Sequence, residues 1–112
     1  MNVTSKLADD ITVIEASGNI DSKTAPEFER TAIAAIQGQS NVIIDLTNVE
    51  FLSSAGLRVL LMIYRQVKAK SGNVVLVGTS EEIQDVMSNT GFLTFFIMAD
   101  TLPEGLSTLK AA

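Results

Sequence analysis

Hydrophobic and polar residues along this chain change their spacing several times, and each spacing predicts one type of element. Short apolar stretches rich in β-branched residues, some alternating with polar residues, predict β-strands. These stretches lie at residues 2–7, 11–17, 41–46, 73–78 and 94–98. Longer segments with apolar residues at helical spacing, bounded by turn residues, predict α-helices. These segments lie at residues 24–37, 57–70, 80–89 and 103–112.

The order of these elements predicts the fold class. The first two strands are close enough in sequence to form an antiparallel hairpin, and helices then alternate with strands. The runs NVIIDL at 41–46 and NVVLVG at 73–78 are almost continuously apolar, which is typical of strands covered on both faces. We therefore predict an α/β fold for a single domain over residues 1–112, with a mixed sheet of four or five strands and about four helices.

Two of the predicted helices begin with the spacing of a capping box, a Ser or Thr followed three residues later by Glu. Thr24 and Glu27 have this spacing, with Pro26 in the first turn, and Thr79 and Glu82 repeat it. The sequence therefore predicts capped helix starts at Thr24 and Thr79.

Composition and charge exclude several classes of function. The net charge is −5, which argues against nucleic acid or an anionic membrane as the main partner, since both require a basic surface. The chain has no Cys and no His, so we expect no disulfide, no thiol or imidazole catalysis, and no metal site of the Cys/His type. With no signal peptide and no span of about 18 apolar residues, we expect a cytoplasmic, non-enzymatic protein without cofactor.

The stretch FLSSAGLRVLL, residues 51–61, places two hydroxyls where a strand leads into a helix. One interpretation is structural, because a serine before a helix usually caps it, and either Ser53 or Ser54 would do so. The other is functional. Ala55 and Gly56 are small and would leave the preceding hydroxyl accessible, and the start of a helix tolerates an added anion. A phosphate on Ser54 would change the surface without unfolding the domain.

The helix predicted at 57–70 has apolar residues on two sides. With about 100° per residue, Leu57, Leu60, Leu61 and Tyr64 share one side, which we expect to face the sheet. The opposite side carries a second apolar stripe. Its members are Ala55, Val59, Met62 and Ile63. Either a neighbouring helix covers this stripe, or it is a partner-binding surface that begins at Ser54.

Two segments together resemble a known family. Residues 41–78, NVIIDLTNVEFLSSAGLRVLLMIYRQVKAKSGNVVLVG, are similar to the core of the STAS domain of anti-sigma factor antagonists. Residues 18–28, GNIDSKTAPEF, resemble the turn of that family into its first helix. The resemblance covers the chain from about Val3 to Leu109. One departure is that the family often has Asp immediately before its acceptor serine, whereas this chain has Ser53.

The resemblance implies a phosphorylation switch. A serine protein kinase that doubles as an anti-sigma factor would phosphorylate Ser54, or less readily Ser53, and a metal-dependent serine phosphatase would reverse the reaction. The unphosphorylated protein would bind the kinase. Asp21 would border the same docking surface. If the second apolar stripe is a partner-binding surface, the docking surface would extend to Ser53, Ala55, Gly56, Val59, Met62 and Ile63. From the residues alone, Asp21 could equally support the first helix, with Ser22 or Thr24 as its cap.

Two other functions stay open. The same fold could act without phosphorylation, as a scaffold subunit of a lipid-transport or sensor complex, and the missing Asp before Ser54 favours that reading. An enzyme or small-ligand binder is the third possibility, although the chain has no glycine-rich phosphate loop with a Lys and no base adjacent to the serines in sequence.

Overall fold

The protein folds into a three-layer α/β structure, seen in a computed structural model that describes residues 1–111. The strands are β1 (Asn2–Ala8), β2 (Ile11–Ile20), β3 (Asn41–Leu52), β4 (Asn73–Val77) and β5 (Ile97–Ala99). The helices are α1 (Ala25–Ala35), α2 (Ser54–Ala69), α3 (Glu81–Asn89) and α4 (Leu102–Ala111), with a 3-10 turn at Leu93–Phe95. The prediction of an α/β fold with a mixed sheet and four helices is confirmed. The last predicted helix included Ala112, which lies outside the described residues.

All five strands form one sheet in chain order, with β1 antiparallel to β2 and the other neighbours parallel. Alternate side chains of the parallel strands enter different cores. Ile14, Ile44 and Leu76 lie in the larger core beneath α1, α2 and α3. Val13 and its neighbours on the other face pack against Leu109 of α4. Since both faces are covered, the runs 42–44 of β3 and 74–77 of β4 are apolar at every position, as buried parallel strands are.

Strand β3 is longer than predicted and carries the chain beyond the rest of the sheet. Its pairing with β4 ends at Asp45, opposite Val77. Past that point β3 pairs only with β2, as far as Leu52 opposite Ile20. The sequence pattern missed this extension because Thr47, Asn48 and Glu50 are polar and exposed, as expected for a strand with one open edge, and interrupt the apolar run. The extension delivers the two serines to one end of the sheet.

The predicted caps of α1 and α3 are wrong in detail. Thr24 precedes α1 but makes no side-chain cap. Its hydroxyl donates to the Asn19 carbonyl at 2.8 Å, and its oxygen accepts from the Asp21 N–H at 2.9 Å instead of from the first turn of the helix. Thr79 is buried and does not cap α3. The hydroxyl of Ser80 caps α3 instead, by accepting from the Ile83 N–H at 3.3 Å. A capping-box spacing therefore located both helix starts to within a residue without identifying the hydrogen bonds.

Among residues 1–111, no helix combines the length and the apolar character that crossing a lipid bilayer requires.

Candidate functional site

The site lies where β3 ends and α2 begins. Ser53 has extended backbone, and its side-chain oxygen accepts from the Gly56 N–H at 3.3 Å, which makes Ser53 the N-cap. The helix starts at Ser54, three residues earlier than predicted, because the small residues Ala55 and Gly56 are part of its first turn. Ser54 is exposed. The structure thus divides the two interpretations of the serines between two residues: Ser53 caps, and Ser54 presents its hydroxyl to solvent.

Gly56 fixes the position of this helix start. A Cβ at Gly56 would lie 2.6 Å from Leu52 Cδ1, 2.8 Å from Ile20 Cγ2 and 3.1 Å from the Ile20 carbonyl oxygen. Only a glycine lets α2 approach the ends of β2 and β3 this closely. The prediction that Gly56 belongs to an exposed docking surface is therefore wrong, because the residue is buried and atoms of Leu52 and Ile20 occupy the space that a side chain would need.

Asp21 lies beside the serines because β2 and β3 end together. The Ser53 N–H donates to the carbonyl of Ile20, the residue before Asp21, at 2.8 Å. The Asp21 carboxylate accepts from the backbone N–H of Lys23 at 2.9 Å and of Thr24 at 3.1 Å. These two hydrogen bonds, the Lys23 bond first, lower the pKa of Asp21 below its usual value of 3.8. Asp21 thus shapes the turn into α1 while lying next to the predicted phosphorylation site.

The predicted partner-binding stripe on α2 is largely internal. Val59 is 4% exposed and Ile63 is fully buried, in the same core cluster as Phe28 and Ala32 of α1. Both were expected at the surface, and that expectation is wrong because α1 packs against this side of α2. Of the stripe, Ala55 and Met62 are half-buried at the margin of the core. The alternative interpretation, that a neighbouring helix covers the stripe, is the correct one.

The side of α2 predicted to face the sheet also differs from the structure. Leu57 and Leu60 are buried, as expected, but Leu61 and Tyr64 are only half-buried. Tyr64 stacks on Phe95, with ring centroids 5.1 Å apart, instead of entering the space above the strands. The buried sector of α2 is therefore rotated towards α1 relative to the prediction, because α2 packs against a helix as well as against the sheet.

A shallow groove of about 260 Å³ runs between α1 and α2 beside Ser54. Ala55 and Val59 contribute to its α2 side. Its polar lining comes from Ser22, considered above only as a possible cap, and from Glu29 and Arg58, which the sequence pattern did not single out. Arg58 follows Ser54 by four residues, so helical spacing alone could have placed it on the same face.

Phe51 is a further residue at this end that the sequence pattern did not single out. It lies near the end of β3, opposite Asn19 of β2 and beyond the last residue that pairs with β4. Its side chain is 53% exposed, unlike those of most large apolar residues of the chain. An exposed aromatic ring three residues before Ser54 adds apolar area to the same end of the molecule, a composition typical of protein-binding surfaces.

The described residues 1–111 contain no group of three or more Asp, Glu, His or Cys side chains able to hold a metal ion. What the site offers chemically is an accessible hydroxyl at the positive end of a helix dipole, with Asp21 in the adjoining loop and Arg58 one turn further along the same helix.

Comparison with known proteins agrees with this architecture. The family model of the STAS domain matches residues 2–105. BtrV of Bordetella bronchiseptica, whose assignment as an anti-sigma factor antagonist is provisional, is 28% identical over 113 residues, covering 100% of this chain and 97% of its own. An anti-sigma factor antagonist from Mycobacterium paratuberculosis has a similar crystal structure, with a TM-score of 0.88 and 28% identity over 97% of this chain and 93% of that one.

A third relative is known in a modified state. The Bacillus cell-fate determinant SpoIIAA in its phosphorylated form superimposes with a TM-score of 0.76, covering 96% of this chain and 98% of that one. At 21% identity this likeness concerns the fold alone. The family match over nearly the whole chain, with the same sheet and helices, decides the classification: the protein belongs to the STAS domain family.

Proposed function

We propose that this protein is an anti-sigma factor antagonist whose binding is switched by phosphorylation of Ser54. One observation carries the proposal: Ser54 is exposed in the first turn of α2 while Ser53 supplies the cap. A kinase can therefore modify Ser54 without removing the hydrogen bond that starts the helix. The family and the names of the relatives support the same function. In this proposal residues 1–112 act as one cytoplasmic, non-catalytic binding domain.

The electrostatics of α2 favour phosphate at this position. The start of a helix carries about half a positive charge, and the first turn of α2 contains no acidic residue. Phosphorylation adds close to two negative charges. The fold tolerates them at Ser54, whereas a partner docked against this end would have to bury them. Binding is therefore lost while the domain stays folded.

The proposed docking surface comprises the accessible residues around Ser54. It includes Ala55 and Asp21 from the original prediction and adds Phe51 and Arg58. In the switch that we propose, the unphosphorylated surface binds an anti-sigma factor that is also a serine protein kinase, and a metal-dependent serine phosphatase restores it after phosphorylation. Neither nucleic acid nor a membrane is part of this proposal.

Ser53 is a poorer acceptor than Ser54. Its hydroxyl oxygen is engaged with the Gly56 N–H and its side chain is half-buried. A phosphate on Ser53 would require the helix start to rearrange.

The same residue also favours a second candidate function, because a serine replaces the acidic residue often found there. A STAS scaffold subunit of a lipid-transport or sensor complex would bind its partners without phosphorylation at either serine.

The test is a kinase assay combined with a binding assay. The full chain is incubated with ATP and a purified anti-sigma-type serine kinase from the same organism, and the modified residue is mapped by mass spectrometry. We expect one phosphate, on Ser54. In pull-downs with that kinase, Ser54→Ala should bind like the unmodified protein and Ser54→Asp should bind at least tenfold more weakly.

The matched control is Ser107→Asp, which introduces the same charge at an exposed position of α4, on the opposite face of the sheet. It should bind like the parent. Absence of phosphorylation, together with equal binding by the Ser54 variants, would refute the switch and leave the scaffold function.

A further inference from the structure

Arg58 lies one helical turn after Ser54 on the exposed face of α2. Residues four apart on a helix are separated by about 6 Å along the axis and about 40° around it, so their side chains are neighbours. Side chains on a helix also lean towards its N-terminus. The guanidinium of Arg58 is therefore carried back towards Ser54, within reach of a group attached to that hydroxyl.

The Arg58 side chain is not committed to another carboxylate. Within residues 1–111 the ion pairs shorter than 4 Å are Lys6 with Glu15 and Lys110 with Asp9. Glu29 of α1 lines the same groove as Arg58, but the two do not form an ion pair within that distance in the described structure. The Arg58 guanidinium is therefore available to bind an anionic group on Ser54 without breaking an ion pair.

We propose that Arg58 binds the phosphate of phosphorylated Ser54 and leaves the α1–α2 groove when it does so. This inference rests on Ser54 being the acceptor. Arginine presents a planar set of N–H donors that matches two phosphate oxygens at once. Phosphorylation therefore changes the docking surface twice: it adds negative charge at Ser54 and withdraws the guanidinium from the groove, where Glu29 remains. A partner with an acidic group facing Arg58 loses that contact as well.

The other charged groups at this end are mostly acidic. Asp21 and Lys23 lie in the loop before α1, Glu29 lies on α1, and Glu50 lies near the end of β3. The carboxylates oppose ionisation of a nearby phosphate, and Lys23 and Arg58 favour it. The second ionisation of the phosphate, which occurs near pH 6 in phosphoserine, is therefore a direct reporter of contact with Arg58.

The experiment measures that ionisation by ³¹P NMR. Phosphoserine is placed at position 54 of the full chain during synthesis, by a suppressor tRNA that carries it, so that no kinase is needed. The pH dependence of the ³¹P chemical shift is recorded for the parent, Arg58→Gln and Arg58→Lys. We expect Arg58→Gln to raise the second pKa of the phosphate by roughly 0.3–0.7 pH units, the range of an exposed ion pair. Arg58→Lys should restore part of the difference.

Arg65→Gln is the matched control. Arg65 is exposed on nearly the same face of α2 as Ser54, but about 16 Å from Ser54 along the helix axis. This distance exceeds the screening length of about 10 Å at 0.1 M salt. Arg65→Gln should leave the pKa of the phosphate unchanged. Equal pKa values in parent and Arg58→Gln, or an equal change in Arg65→Gln, would overturn the inference. Since phosphoserine is installed directly, such a result would leave the kinase and binding tests of the proposed function standing, and failure of those tests would not alter the NMR result.

Discussion

Replacing Ser54 by Asp tests whether the start of α2 accepts negative charge. The proposed switch requires that charge at Ser54 act on the partner and not on the fold. Asp at the first helical position places a carboxylate against the positive end of the helix dipole. Because Ser53 keeps the cap, no hydrogen bond of the helix start is lost. We therefore expect Ser54→Asp to be at least as stable as the parent.

The expected gain follows from the position of the residue. An acidic side chain in an exposed first turn stabilises a helix by about 0.3–1 kcal/mol at low salt. For a domain of this size such a gain corresponds to a rise in Tm of about 1–6 °C. The first turn of α2 contains no other acidic residue, so no repulsion from a neighbour within that turn offsets the gain. High salt should reduce the effect, since the charge is exposed.

Thermal unfolding followed by circular dichroism in low and high salt measures this effect. Ser54→Lys is the sign control and should lower Tm, and Gln66→Asp, near the end of the same helix, should lower it too. A lower Tm for Ser54→Asp, or Tm shifts in the same direction for Asp and Lys at position 54, would contradict a stabilising effect of negative charge at the start of α2. A lower Tm for Ser54→Asp would mean that negative charge at this position disturbs the fold.

Three further predictions concern the residues that build the site. Gly56→Ala should destabilise the protein by about 1–3 kcal/mol in urea unfolding, because its Cβ overlaps Ile20, and unchanged stability would contradict the close approach of α2. Ser53→Ala should cost about 1 kcal/mol in the same assay while Ser54 remains a kinase substrate, and loss of phosphorylation in the folded variant would contradict that division of roles. The folded-state pKa of Asp21 is lowered, so its stabilising contribution is present above its usual pKa and is lost as the pH falls through the folded value. The Tm advantage of the parent over Asp21→Asn should therefore shrink from about pH 5 to about pH 2. A Tm difference that stays constant over this range would contradict the prediction.

The sequence predicted most of the fold because its signals are local. Continuous apolar runs defined β3 and β4 as central strands, and turn residues marked the helix boundaries. The extension of β3 to Leu52 could not be predicted in this way, because its polar residues look like a loop. They fit a strand only once it is known that β4 ends at Val77 and leaves one edge of β3 open to solvent. Caps failed for a similar reason: Thr79 and Ser80 are both plausible, and only the backbone geometry selects Ser80.

The site was predicted in part. The sequence located Ser54 and, through the family resemblance, Asp21, but it assigned Val59 and Ile63 to the surface. A helical wheel shows which residues share a side of α2, yet it contains no information on which side α1 covers. Phe51 was overlooked because an aromatic residue in a strand is normally buried. Here β4 does not extend alongside this part of β3, and the ring stays exposed.

In the proposed switch, one phosphate on Ser54 releases a bound partner without unfolding this domain. The most direct measurement is the Kd of the purified serine kinase for two preparations of the full chain, one unmodified and one with phosphoserine at position 54. We expect the phosphorylated protein to bind at least tenfold more weakly, a loss of about 1.4 kcal/mol or more in binding free energy, with unchanged circular dichroism. Equal affinities of the two folded preparations would contradict it.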